Sequence, residues 1–418
     1  MASPSDPEVR VANPTKSQNS AGDASALGVE TRLVRGGLTR SNHGETSEAI
    51  FLTSGFVYDD AASAEARFAG EQPGFMYSRY ANPTVEMFER RMALLEGAEV
   101  CHGTGSGMAA VFAALMCHLK AGDHVVASRA LFGSCFYILD ILLPRWGIEV
   151  TFVDGGDLAQ WRAAITPKTR VVFFETPANP TIALVDIAAV SKLAHAVGAK
   201  VMVDNVFATP LLQKPLQLGA DVVIYSATKH IDGQGRCLGG AVLADAAFCK
   251  DQLMPFLRHT GPALSPFNAW VLVKGLETMA LRVEHQCTAA KRIAEQLAGA
   301  RAVERTLYPH LPSHPQYELA RRQMTAGGTV VTFELAGGKD AAFAFMNALE
   351  IVDISNNLGD AKSLVTHPAT TTHRSMGEEA RLKAGITQGM IRLSIGLETV
   401  GDLERDVARG LAAAAAVG

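Results

Sequence analysis

The chain has 418 residues, 48% of them hydrophobic and 19% charged, which supplies apolar material for more than one core and excludes a disordered chain. Its 38 basic and 42 acidic side chains leave a net charge of −4, without the basic excess that binding a phosphate backbone needs, so nucleic acid is excluded as a partner. The cysteines Cys101, Cys117, Cys135, Cys237, Cys249 and Cys287 form no CxxC pair, and scattered thiols of this kind predict a reducing compartment, the cytoplasm.

Residues 1–26 are rich in Ser, Pro, Asn and Asp and lack an apolar stretch, which predicts a disordered tail and not a signal peptide. No run of about 18 uncharged apolar residues occurs anywhere, so a membrane partner is not expected. Residues 27–81 carry little regular pattern but many small and aromatic side chains, and read as an arm that wraps onto something else. From 82 to 275 short apolar strands alternate with helices. Strands are predicted at 124–128, 149–154, 170–176, 200–204 and 221–225, with helices at 107–115, 158–165 and 187–197. Their β-branched runs lack strict alternation, as a parallel sheet covered on both faces requires. The prediction is a doubly wound α/β domain. Residues 276–418 read as a smaller α+β domain. Here one long helix over 268–298 is predicted to lead into a strand at 329–335, a helix near 340–349, a strand at 390–395 and a closing helix at 403–415.

In an open α/β sheet, ligands sit beyond the carboxyl ends of the strands. One predicted strand ends in Asp204-Asn205 and the next in Ser226-Ala-Thr-Lys-His230, so a carboxylate and an amine reach the same edge. That pairing suits pyridoxal 5′-phosphate, whose aldehyde a lysine captures and whose ring nitrogen an acidic side chain keeps protonated. Ser226 and Thr228 could bind its phosphate. Thr104-Gly-Ser-Gly-Met-Ala-Ala110 opens a helix whose first amides suit an anion. A nicotinamide fingerprint does not fit this stretch, because the spacing is wrong and Asp123 precedes a strand. His310 and His314 could form an H-x3-H pair, but Pro309, Pro312 and Pro315 forbid the helix that would align them on zinc. His367 and His373 flank a threonine-rich turn and read equally as scaffolding.

With these residues in view, the sequence resembles the Cys/Met-metabolism family of pyridoxal-phosphate-dependent enzymes from about residue 27 onward. Seven blocks appear in order: Tyr77-Ser-Arg-Tyr-Ala-Asn-Pro-Thr84, Ser106-Gly-Met-Ala-Ala110, Glu175-Thr-Pro-Ala-Asn-Pro-Thr181, Val203-Asp-Asn-Val-Phe-Ala-Thr-Pro210, the lysine signature at 221–235, Ser363-Leu-Val-Thr-His-Pro368 and Ile391-Arg-Leu-Ser-Ile-Gly396. The resemblance implies the transferase fold type I: a mostly parallel large domain and a smaller α+β C-terminal domain. It implies a homotetramer, a dimer of dimers, in which the arm serves the neighbouring subunit.

Roles follow by the same resemblance. Lys229 would carry the cofactor and shuttle protons, and Asp204 would pair with the ring nitrogen. Gly107, Met108, Ser226 and Thr228 would hold the phosphate, which Tyr77 and Arg79 would reach from the neighbouring subunit. Asn179 would sit beside the ring hydroxyl and the substrate, and Arg392 with Ser363 would grip the α-carboxylate through a guanidinium fork. Two departures matter. His230 stands where many members carry an aromatic residue, and Phe132 stands where many carry a tyrosine; Phe132 can stack on a ring but has no proton to give. Together with the segment after Lys229, Phe132 points to the branch that acts on O-succinyl-L-homoserine with sulfide, giving L-homocysteine and succinate. The rivals are cystathionine γ-synthase, O-acetylhomoserine sulfhydrylase and methionine γ-lyase, and, from another class, a silent cofactor-binding protein. Arg236 and Arg40 are the candidates for the distal succinyl carboxylate.

Overall fold

A computed structural model describes residues 26–417; the expected tail, except for Ala26, lies outside the described residues. The larger sheet contains β1 (Val100–Thr104), β2 (His124–Ser128), β3 (Glu149–Val153), β4 (Thr169–Glu175), β5 (Lys200–Asp204), β6 (Val222–Ser226) and β7 (Gly240–Ala244), in the spatial order β1-β7-β6-β5-β4-β2-β3. The pairs among β2 to β6 are parallel, while β7 runs against both β6 and β1. Reversing twice, β1 points the same way as β6. The chain after Thr104 therefore emerges at the edge where β4, β5 and β6 also end.

Neighbouring residues of one strand serve opposite cores. Val172 and Phe174 pack with Phe88, Met92 and Leu272 on one face, whereas Val171 and Phe173 pack with Ala110, Leu115 and Leu139 on the other. Both faces of the inner strands β4, β5 and β6 are apolar, so there the period of two does not show as polar alternation, whereas the edge strand β3 alternates Glu149 and Thr151 with Val150 and Phe152.

The smaller sheet contains β8 (Val303–Leu307), β9 (Val330–Leu335), β10 (Asp353–Ile354), β11 (Leu364–Thr366) and β12 (Met390–Ser394), in the order β10-β11-β12-β9-β8. Its core packs against the helices Gly338–Asn347 and Val400–Ala415. The single long helix predicted over 268–298 is two helices, Pro266–Glu277 and Met279–Ala298. The break is at Thr278 (φ −109°, ψ 5°). Here Arg282 takes the Gly275 carbonyl at 2.7 Å and the Thr278 hydroxyl at 3.2 Å, occupying an acceptor that would otherwise continue the ladder. The second helix joins the two cores: Val283 and Cys287 pack with the large sheet, and Ile293 and Leu297 with the small one. The arm is less irregular than expected, with short helices at Val29–Arg35 and Ala61–Phe68. Among the described residues no helix is long and apolar enough to cross a membrane.

Candidate active site

The strand ends at the shared edge enclose a cavity of about 230 Å³, which the 356–358 loop and Arg392 of the smaller domain close. Ser106, Gly107 and Met108 line it from the start of the helix Gly107–Met116. Ser106 caps that helix, accepting the Ala109 N–H at 3.2 Å. Glycine is required at 107, since a Cβ there would stand 2.6 Å from the Ser226 Cβ. The helix start therefore lies directly against the end of β6.

Asp204 ends β5 and is buried, and its carboxylate accepts one N–H, from Val206 at 3.1 Å. Burial raises its pKa to about 7. Glu175 ends β4 beside it and accepts the backbone N–H groups of Phe132 at 2.8 Å and Asn179 at 3.0 Å. Burial and the neighbouring Asp204 charge push Glu175 well above the carboxylate range. Lys229 donates from Nζ to Asn357 Oδ1 at 2.5 Å. Burial, then the Arg392 charge, lowers its pKa to about 8.

Arg392 rises from β12, fully buried, and donates to Asn179 Oδ1 at 2.8 Å and to the carbonyls of Asn356 and Asn357 at 2.9 and 3.0 Å. Its Nε has no partner. Thr228 lines the cavity while its hydroxyl also accepts the Gly239 N–H at 3.1 Å. The Phe132 ring forms another part of the wall.

Of the residues expected in this chain's own site, Ser363 is not brought there. Ser363 is fully buried away from the cavity, its hydroxyl donating to Glu398 at 2.8 Å and accepting the Gly396 N–H at 2.8 Å. It has no bond left for a ligand carboxylate, and the Asn356–Asn357 carbonyls meet Arg392 instead. Tyr77 and Arg79 do not line the cavity of their own chain. Tyr77 is 41% exposed, and the Arg79 guanidinium lies 4.9 Å from the Tyr80 ring centroid while donating to the Arg258 carbonyl. Arg236 is held by Asp232 at 2.9 Å and Arg40 by the Glu45 carbonyl at 2.9 Å. His314 accepts the Gln316 N–H within its own turn, and His367 bridges Thr370 of its turn and the carbonyl of Gln388 further along the chain.

Sequence reasoning missed Glu175 and the Asn356-Asn357-Leu358 loop. Glu175 carried a signal, being the last residue of the strand beside that of Asp204. The loop carried none, because its place depends on how the smaller sheet folds back.

The profile of the Cys/Met metabolism PLP-dependent enzymes matches residues 30–412. The chain belongs to the Cys/Met-metabolism family of pyridoxal-phosphate-dependent enzymes. It is 59% identical over 382 residues to an O-succinylhomoserine sulfhydrylase of Mycobacterium tuberculosis, covering 90% of this chain and 94% of the relative. To an O-succinylhomoserine sulfhydrylase of Pseudomonas aeruginosa it is 51% identical, covering 94% and 97%. Its fold superimposes, at a TM-score of 0.89 and 31% identity over 92% of this chain and 100% of the other, on a putative O-acetylhomoserine (thiol)-lyase of Campylobacter jejuni solved with N′-pyridoxyl-lysine-5′-monophosphate.

The residues present fit the family's cofactor. Asp204 keeps acceptor capacity facing the cavity, Lys229 offers an amine that loses its proton readily, and the helix start at Gly107 with the Ser226 hydroxyl forms a cradle for an anion. A side chain at 107 would fill that cradle.

Proposed function

We propose that this member of the family catalyses γ-replacement on O-succinyl-L-homoserine with sulfide. The γ carbon–oxygen bond breaks, a carbon–sulfur bond forms, and L-homocysteine and succinate leave. The carrying observation is that Lys229, Asp204 and Arg392 line one cavity, in a chain 59% identical to an O-succinylhomoserine sulfhydrylase. Cystathionine γ-synthase and O-acetylhomoserine sulfhydrylase share this chemistry, and the assay below separates them by ester and product, while absence of any product would favour the silent cofactor-binding reading.

Bound in the cavity, pyridoxal phosphate supplies a sink for negative charge developing at the substrate's α carbon. In this reading the hydroxyls of Ser226 and Thr228 and the amides of Gly107 and Met108 hold the phosphate. Asp204 holds a proton at the ring nitrogen, and the Phe132 ring orients the cofactor by stacking. Asn179 would meet the ring hydroxyl, and its Oδ1 keeps Arg392 aimed. Arg392 binds the α-carboxylate, where the free Nε adds a donor to the fork. Lys229 takes the α proton and later returns it, and with no hydroxyl on Phe132 it also serves the departure of succinate. The buried Asp204, Asn179 and Arg392 limit the water around the reacting carbons.

We further propose that residues 82–275 and 276–418 act as large and small domains, that the 27–81 arm clasps a second copy in a homotetramer, and that Tyr77 and Arg79 complete the neighbouring subunit's phosphate site. Six free thiols suit a cytoplasmic location. The reading is tested by offering the enzyme succinyl- and acetyl-homoserine with sulfide and cysteine together and identifying the products. Homocysteine from the succinyl ester is expected; cystathionine as the dominant product overturns the assignment in favour of the synthase.

A further inference from the structure

A line of buried polar side chains crosses the molecule behind the site, and the reaction described above does not use it. Tyr225 donates its hydroxyl to Glu96 Oε2 at 2.5 Å and accepts from Asn205 Nδ2 at 2.7 Å. Asn205 Oδ1 accepts from Gln213 Nε2 at 2.7 Å, and the same amide donates to the Thr176 carbonyl at 2.9 Å. Gln323 Nε2 donates to Gln213 Oε1 at 3.0 Å. All five side chains are buried, Glu96 and Asn205 completely.

The attachment points have a pattern. Thr176 follows Glu175, Asn205 follows Asp204 and Tyr225 precedes Ser226, so each lies one residue from a group that lines the cavity. Successive strand side chains face opposite ways. Tyr225 accordingly packs with Val223, Val203 and Phe174, in the core on the face away from the helix Gly107–Met116. The line therefore ties together the far sides of the three strand ends that present Glu175, Asp204 and Ser226. Its members also pair backbone carbonyls, Gln213 that of Thr176 and Asn205 those of Thr209 and Gln213, and a connected polar line has few alternative arrangements. What it supplies is one fixed geometry.

We propose that Tyr225, Asn205 and Gln213 are positioning residues, which hold Asp204 and Ser226 at the separation set by the cofactor's ring nitrogen and phosphate. This rests on the reading above, in which Asp204 meets the nitrogen and Ser226 the phosphate. A group gripped at both ends is sensitive to shifts well below an ångström in either anchor.

The test uses the full-length apo protein titrated with pyridoxal 5′-phosphate, without substrate. Tyr225→Phe keeps the ring and removes one hydroxyl, and Asn205→Leu keeps the volume and removes the junction. Each is expected to raise the cofactor dissociation constant about tenfold, the scale of one buried hydrogen bond, and to move the pH midpoint of the bound cofactor's visible band. Glu96→Gln keeps an acceptor for Tyr225 and is expected within about twofold of wild type, whereas Glu96→Leu matches Tyr225→Phe. Lower thermal stability in Tyr225→Phe with the constant and the midpoint unchanged overturns the inference, since a merely structural line gives that result. Asp204→Asn separates the two readings. A large effect there beside none in Tyr225→Phe removes only the positioning role, while no effect in Asp204→Asn removes the assignment of Asp204 and the inference with it. Should Asn205→Leu not fold, Tyr225→Phe decides.

Discussion

Lys229 sits where a positive charge is disfavoured twice, by burial and by the Arg392 guanidinium, and its pKa falls to about 8. A lysine captures an aldehyde through its neutral form, so the rate at which the apo protein takes up pyridoxal phosphate is expected to rise with a midpoint near pH 8, far below that of an exposed lysine. Stopped-flow absorbance across pH measures this, and Lys229→Arg should abolish the signal. The next residue is also a base with a lowered pKa, and it carries the stability consequence at acid pH. His230 is buried against Thr329, 2.6 Å from its hydroxyl, and burial with the Arg282 and Lys229 charges lowers its pKa to about 3. Its folded-state pKa lies below the ordinary value near 6.5, so its contribution is intact above pH 6.5 and is lost as pH falls towards 3. At pH 5 the difference amounts to about 2 kcal/mol. His230→Phe also loses the Thr329 bond at every pH, but urea unfolding at pH 7 and pH 5 should show the wild type losing about 2 kcal/mol more than the variant between them.

At the scale of elements, the decisive contact is that between the start of the helix Gly107–Met116 and β6. In Gly107→Ala the new methyl group meets Ser226 at 2.6 Å from Cβ and 2.8 Å from Oγ, so helix and strand must separate. A loss of 1–3 kcal/mol in urea unfolding is expected, of the size usual for overpacking, together with at least a tenfold weaker hold on the cofactor in equilibrium dialysis. This is also the scale at which the sequence was most informative. The inner parallel strands were visible because both faces are apolar and β-branched residues cluster there. For the same reason their two faces could not be told apart. β1 and β7 were not predicted, and the reversed direction of β7 would have stayed invisible in any case, since a five-residue apolar strand carries no arrow. Lys229 and Asp204 could be read from the sequence because strand ends fix where they emerge. The Asn356-Asn357-Leu358 loop could not, because its contacts with Lys229 and Arg392 arise only when the smaller sheet folds against the larger. Ser363 misled for a related reason: its type suited a carboxylate, but Glu398, far along the chain, already holds its hydroxyl.

For the whole molecule, the proposed clasp between subunits makes an arithmetic prediction. Lys229→Ala and Arg79→Ala each remove one part of every site in their own homo-oligomers. If Arg79 serves the neighbour, a hybrid dimer of the two has one site with both parts and one with neither. Random remixing makes half the dimers hybrid, so activity is expected to recover to about a quarter of wild type, measured after co-refolding or co-expression. Arg79 acting in its own chain gives the same hybrid no complete site. Arg392 links the two sheets within one chain, standing on β12 yet bonded to Asn179 beyond β4 and to two loop carbonyls. An arginine side chain carries about 2 kcal/mol of rotamer entropy, and here that freedom is surrendered when the chain folds, before any ligand arrives. A carboxylate entering the cavity meets a donor with no ordering left to undergo. In the proposed reading the acid end of the substrate is therefore recognised rigidly and without regard to what is attached to it, and discrimination among amino acids falls to the surroundings of the γ carbon.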